Sequence, residues 1–169
     1  MQLTGKQITE KQIITNVGEK SIQQQGVDLR LKRIGRIDYR GDMGEMGFIP
    51  ADGRTSTPKT EWYESEFEQY SITLIPGYYE VEFMEGCNIP VNCSLQLKSR
   101  SSVVRCGGEI RSGQFDAGFK TDNIGCFLKV EIPMSVEIGA RMAQALVFES
   151  YPVENLYDGQ WQGDKQRKS

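Results

Sequence analysis

Between Ser99 and Gln144 the chain gathers side chains suited to holding phosphate and directing water. A hydroxyl pair lies between arginines in Arg100-Ser101-Ser102-x-x-Arg105. Hydroxyls and backbone amides at a strand end can donate to phosphoryl oxygens, and a guanidinium adds a planar two-pronged donor. Asp116 sits between aromatic residues in Gly113-Gln114-Phe115-Asp116-Ala117-Gly118-Phe119. Its carboxylate can orient or deprotonate a water. Phe119 can lie under a sugar, and backbone groups near Gly113 can read a base edge. A third run, Gly139-Ala140-Arg141-Met142-Ala143-Gln144, offers Arg141 and Gln144 as further phosphate donors. Each run also has an ordinary reading. The first is a polar turn. The second is a β-turn whose Asp116 caps its own backbone over core phenylalanines, and the third is a strand start with a surface arginine.

Two residues outside this stretch belong with it. Asp28, in Gln25-Gly26-Val27-Asp28-Leu29, falls on the polar side of an alternating strand. There it either supports a divalent cation through water or faces solvent, and solvent is the expectation. Trp161 stands between Gly159 and Gly163 near the chain end. A large aromatic on a hinge-like segment suits a lid that stacks on its target, or docking on its own or a neighbouring subunit.

The rest of the composition removes several chemistries. The chain has no histidine and four cysteines, Cys87, Cys93, Cys106 and Cys126, none in a CxxC. That excludes mixed His/Cys zinc sites, His-activated cysteine nucleophiles and Ser-His-Asp triads. Proton transfer falls to Asp, Glu, Lys, Tyr or metal-bound water. The cysteines read as reduced, mostly buried thiols. A formal charge of −3 over 169 residues shows no basic excess, so no nucleic-acid partner is expected. No apolar run is long enough to cross a membrane, and the start lacks a secretion pattern, so the expectation is a cytoplasmic protein of one domain.

The elements that must position these residues are mostly strands. Leu3-Thr4-Gly5-Lys6-Gln7-Ile8 opens a helix, with Thr4 and Gln7 as a capping box and Leu3 and Ile8 as a staple, fading near Asn16-Val17-Gly18. After it the period is two: Val27, Leu29, Leu31; Ile72, Leu74; Tyr79, Val81, Phe83; Leu95, Leu97; Leu128, Val130, Ile132; Met134, Val136, Ile138. Short alternating strands broken by Gly and Pro turns predict an all-β sandwich or barrel over residues 1–152. Residues 41–68 read as an exposed insertion with Trp62 and Tyr63 packed back, and 153–169 as a flexible lid segment ending in Lys165-Gln166-Arg167-Lys168.

In this order the motifs resemble the dUTPase / dCTP deaminase superfamily. QQQGVDLRL after a short helix is similar to the opening strand of the deaminase-like branch. LIPGYYEVEF, then IPVNCSLQLKSRSSVVRCG, resembles the passage that leads to a "PRSS" turn, with Ser99 where proline is common. QFDAGF resembles the "DPGF" motif, GARMAQ the "GxRIAQ" motif, and YDGQWQGD the tail "YxGxYQG" with Trp161 for tyrosine. The resemblance implies a jelly-roll-like fold and a homotrimer with sites at subunit interfaces. It also implies Mg²⁺ held mainly by substrate phosphates. Ser101, Ser102, Arg105, Arg141 and Gln144 would meet phosphates, with Arg100 anchoring the turn. Asp116 would hold the attacking water and touch the 3′-hydroxyl, and Phe119 would exclude a ribose. Gly113, Gln114 and Phe115 would read uracil, and Tyr157, Trp161 and Gln162 would close over the nucleotide.

The two branches differ in one acid. Deamination uses a glutamate on the strand after the "DPGF" motif. In Gly125-Cys126-Phe127-Leu128-Lys129-Val130-Glu131-Ile132-Pro133, one alignment puts Lys129 there and another Glu131. The longer spacing after Asp116 and the GCFLKVEIP strand resemble archaeal- and phage-type dUTPases. The expectation is hydrolysis of dUTP to dUMP and pyrophosphate. A dCTP deaminase, or a bifunctional enzyme, using Glu131 is the alternative, and a non-catalytic trimer that binds a host protein is a third.

Overall fold

The computed structural model describes residues 1–37, 47–51, 58–63 and 71–164. The opening helix is α1, Gly5–Glu10. Thr4 Oγ1 accepts from the Gln7 amide at 3.3 Å, and Gln7 Oε1 accepts from the Thr4 amide at 2.9 Å, so both halves of the capping box are made. Leu3 and Ile8 are both buried. The helix stops at Glu10, well before Asn16-Val17-Gly18. Gln12 and Asn16 take φ of 54° and 56°, a left-handed backbone that cannot continue a right-handed helix.

The strands among the described residues are β1 (Ile14–Thr15), β2 (Ile22–Gln23), β3 (Gly26–Ile37), β4 (Thr60–Trp62), β5 (Ser71–Leu74), β6 (Gly77–Phe83), β7 (Gly86–Asn88) and β8 (Cys93–Ser99). After a one-turn helix α2 (Ser101–Arg105) come β9 (Gly108–Arg111), β10 (Lys120–Thr121), β11 (Gly125–Val130), β12 (Met134–Glu137) and β13 (Arg141–Glu149). The main sheet runs β8-β13-β3-β6-β11-β9, with β2 and β4 attached to β3. Its pairings are antiparallel, which is why one face is apolar and the other polar along each strand. Two ribbons, β1-β7-β10 and β12-β5, complete the β structure.

The main sheet curls into a near-closed barrel. Its end strands meet where the hydroxyl of Ser99, closing β8, accepts from the Ile110 amide of β9 at 2.8 Å. The alternating sets expected to face inward do so: Val27, Leu29, Leu31, Tyr79, Val81, Phe83, Leu95, Leu97, Leu128 and Val130 are buried in one core. The alternation outruns the strands at Ile132 and at Ile138, which follows the end of β12. β11 ends at Val130, and Ile132 is exposed in the turn that follows. The four cysteines are free thiols, three buried and Cys106 exposed.

Of the insertion expected over 41–68, only 47–51 and 58–63 lie within the described residues. There β4 pairs with β3, placing Trp62 opposite Gly35, and Tyr63 packs on the core. The guanidinium of Arg33 lies 3.8 Å from the Trp62 ring centroid, a cation–π contact. Both aromatics are therefore packed back, as their sequence context suggested. The basic run 165–168 lies outside the described residues.

Candidate active site

Register places two of the candidate residues, Asp28 and Gln144, on one outward face. Gln144 of β13 lies opposite Asp28 of β3 on one side and Lys98 of β8 on the other. Directly opposed residues share a sheet face. Two residues along, Leu146 lies opposite Gln96 on that same face. Gln96 Nε2 approaches Gln114 Oε1 at 3.4 Å, and Gln114 Nε2 donates to Asp116 Oδ1 at 3.1 Å. A continuous polar strip thus runs from Asp28 through Gln144 and Lys98 to Asp116.

Asp28 is the main correction to the sequence reading. It does not face solvent: it is 1% exposed. Its Oδ2 takes an ion pair from Arg100 Nε at 3.1 Å and from Arg141 Nη1 at 3.3 Å. Arg141 Nη1 also donates to the Lys20 carbonyl at 2.8 Å, and Arg100 Nη1 to the Arg141 carbonyl at 3.3 Å. Alternation put Asp28 on the outer face correctly, but two long side chains and the segment around Lys20 cover it. Arg141 is accordingly a cross-strand tie rather than a free surface arginine, and Arg100 pins the start of α2 to β3.

Burial pushes the Asp28 carboxyl up from its usual range, partly offset by Arg100 and then Arg141. A raised carboxyl in the folded state contributes most below the unfolded value of 3.8, and that contribution is lost as pH rises through the folded value. The charge is therefore kept at some cost, as desolvation of buried pairs often requires. Asp28→Asn is expected to stay within about 1 kcal/mol of wild type at pH 7.5. Wild type should gain on the variant as pH falls toward 3.8. Urea unfolding of both proteins across that range checks it; a large loss at pH 7.5 would mean the Coulomb gain dominates.

The Arg-Ser-Ser motif forms the first turn of α2. A helix was not expected there, because five residues are too few to show a period. Val103, buried, anchors it to the core, while Ser101, Ser102 and Arg105 are exposed. The amides of Ser101 and Ser102 are first-turn donors with no intrahelical acceptor.

The Asp116 loop is a β-turn. The Phe119 amide donates to the Asp116 carbonyl at 3.1 Å, and Gly118 takes φ 87°, the type II geometry that favours glycine at that position. Phe115 fixes one end by exchanging backbone bonds with Leu95 at 2.9 Å each way. Asp116 does not cap its own backbone. Its side chain is exposed and held by Gln114. Gly113 and Gln114 are exposed beside it, and nothing stands within 4 Å of where a Cβ at Gly113 would lie. Phe119 is buried, its ring 5.4 Å from both Phe115 and Tyr157.

The tail returns to this loop. The Tyr157 amide donates to the Ala117 carbonyl at 2.8 Å. Gln162 Oε1 accepts from the Lys120 amide at 2.9 Å, and its Nε2 donates to the Gly118 carbonyl at 2.8 Å. Trp161, partly exposed, donates its amide to the Tyr157 hydroxyl at 3.2 Å. The tail therefore docks on its own subunit's loop, one of the two placements its sequence allowed.

The residues that separate the two chemistries lie at the end of β11, where the Glu131 amide donates to the Gly107 carbonyl, just after α2, at 2.8 Å. Lys129 is half-buried on β11, while the Glu131 side chain, 68% exposed, lies past the strand end with Lys129 Nζ 3.9 Å away. Two residues of the polar strip, Gln96 and Lys98, were not singled out from the sequence. The alternation Leu95-Gln96-Leu97-Lys98 marks them as outward, but only register shows that they join Gln144 and Gln114.

Among the described residues no three His, Cys, Asp or Glu side chains group as metal ligands. Asp28 does not fit as a ligand, since two guanidiniums face its carboxylate and would repel a cation. Among the described residues the site therefore offers no side-chain ligand set for a magnesium ion. No helix is long and apolar enough to cross a membrane.

The chain is similar to a probable deoxyuridine 5′-triphosphate nucleotidohydrolase of Halobacterium salinarum, 32% identical over 152 residues that cover 88% of this chain and 87% of that protein. A deoxyuridine 5′-triphosphate nucleotidohydrolase of Methanocaldococcus jannaschii is 29% identical over 92% of this chain and 96% of its own. The fold is that of the crystal structure of 2′-deoxycytidine 5′-triphosphate deaminase from Agrobacterium tumefaciens, with a TM-score of 0.59 at 16% identity. That superposition covers 86% of this chain and 47% of the deaminase, so the present chain spans about half its length. A family model described as dCTP deaminase-like matches residues 2–151. The match takes in every strand from β1 to β13, and the chain belongs to the dCTP deaminase-like family.

Proposed function

We propose that the protein is a homotrimeric dUTP diphosphatase that hydrolyses magnesium-bound dUTP to dUMP and pyrophosphate. The observation that carries this reading is near full-length similarity to archaeal proteins named as dUTP nucleotidohydrolases. The position of Glu131 supports it. A proton shuttle for deamination must be held at the base, whereas the Glu131 side chain lies past the end of β11, 68% exposed in the single chain and paired with Lys129.

In this mechanism Asp116 orients a water whose oxygen attacks the α-phosphorus. The bond from that phosphorus to the bridging oxygen breaks, pyrophosphate departs, and the water's proton passes to Asp116 and then to solvent. Gln114 fixes the carboxylate through Oδ1. Ser101, Ser102, Arg105 and Gln144 hold phosphate oxygens, so the rate enhancement comes mainly from positioning and electrostatics. Magnesium, where bound to the phosphates, neutralises their charge. Gly113 to Phe115 read the base. Phe119 limits room at the sugar, reached when Tyr157 shifts from its ring. Trp161 closes over the nucleotide.

Incubation with dUTP and with dCTP, magnesium present, followed by assays of pyrophosphate and ammonia, tests this. Pyrophosphate from dUTP without ammonia from dCTP is expected. Ammonia from dCTP would assign the deaminase chemistry instead. Neither product would leave a binding role, for which the exposed Phe48 and Ile49 of the insertion are the natural surface.

A further inference from the structure

We propose that Lys98 is a phosphate contact of this site, meeting the β- and γ-phosphates of the triphosphate. The inference rests on the diphosphatase reading and deepens it. Among the described residues, Lys98, Arg100, Arg105 and Arg141 are cations of the polar strip, α2 and their flanks. Two are already engaged. Arg100 and Arg141 both point at the Asp28 carboxylate, which offsets their charge and holds their guanidiniums in place. Neither can turn to a ligand without leaving a buried carboxylate unpaired, a costly exchange.

Lys98 is different. It is exposed, and no described residue gives it an ion pair or a side-chain hydrogen bond. It lies directly opposite Gln144, on the outward face, one residue before the end of β8. Ser101 and Ser102 begin α2 three residues further on, and Arg105 ends it. The hydroxyl pair is thus bracketed along the chain by two unengaged cations, one from the strand end and one from the last turn of the helix. An ammonium on a flexible stem acts as a mobile point charge, suited to a polyphosphate whose oxygens shift during bond cleavage. Neither burial nor an ion pair with a described residue accounts for Lys98, an exposed strand lysine at a sheet position opposite Gln144.

The test uses the full chain and three forms: wild type, Lys98→Gln and Lys98→Arg. Lys98→Gln is expected to raise KM for magnesium-bound dUTP about tenfold, the scale of one charge-assisted contact, with kcat within about threefold of wild type. Pyrophosphate inhibition should weaken by a similar factor while dUMP inhibition stays unchanged, because only the β- and γ-phosphates lose their partner. Lys98→Arg should restore most of the affinity, and the Tm of all three should agree within about 2 °C, as for other surface changes. A Lys98→Gln enzyme with unaltered KM and unaltered pyrophosphate inhibition would overturn the inference, as would a fall in kcat alone. Calorimetric binding of dUTP separates this from the parent reading. If wild type binds dUTP through Lys98 without releasing pyrophosphate, the diphosphatase reading fails and the contact stands. If wild type binds no dUTP, both fail.

Discussion

Replacement of Asp116 by asparagine is expected to lower kcat for dUTP by about a thousandfold, within the range for losing a positioned general base. Asparagine keeps the shape and can still accept from Gln114, so the loop should hold. The variant loses the negative charge that pulls a water proton toward it, and its amide presents a donor where an acceptor is needed. Ground-state binding of dUTP should change by no more than about threefold, because the phosphates carry most of the contacts and the repulsion of Asp116 for them is removed. Single-turnover hydrolysis and calorimetric binding measure the two quantities separately. Turnover equal to wild type would remove Asp116 from the chemistry.

The second large effect concerns the tail. Deleting everything from Tyr157 onward mixes two roles, because Tyr157 covers the ring of Phe119. Ending the chain after Gly159 is cleaner. It removes Trp161 and Gln162 and keeps the aromatic contact. The Gln162 side chain bonds two backbone groups at the Asp116 loop, at Lys120 and Gly118, so the truncation removes both the lid aromatic and the side chain that docks it on that loop. The expected result is a fall in kcat/KM of about a hundredfold, comparable to losing closure and water exclusion in other lidded enzymes. Thermal unfolding should stay within about 2 °C, since the removed residues bury little. Full activity in the truncated chain would show that the tail docks without acting.

The outline of the fold was legible because one physical signal repeats: alternation marks strands, and these strands bury one face. The capping box at Thr4 and Gln7 was equally readable, since it needs only local spacing. What escaped had nonlocal causes. Alternation says that Asp28 faces outward but not that Arg100 and Arg141, more than seventy residues away, will cover it. The five-residue α2 is set by Val103 reaching the core, not by a helical pattern. Lys98 joins Gln144 only through register. The pairing of a tail glutamine with the Asp116 loop has no sequence signature beyond the motif itself. Which of Lys129 and Glu131 matches the family's acid also turns on a strand boundary, and the end of β11 at Val130 leaves Glu131 outside the strand.

Ser99 stands where the family pattern often has proline, and its hydroxyl takes the Ile110 amide at 2.8 Å. An edge strand with free amides is a template for another chain's strand, and edge-to-edge pairing leads to aggregates. Proline blunts an edge by having no amide of its own; serine here blunts the opposite edge by occupying its neighbour's. The gap in the barrel is thereby made unattractive to a stranger's backbone: the Ser99 hydroxyl takes an edge amide at one end, and the Leu95–Phe115 backbone pair holds the strand that carries the phosphate turn to the Asp116 loop at the other.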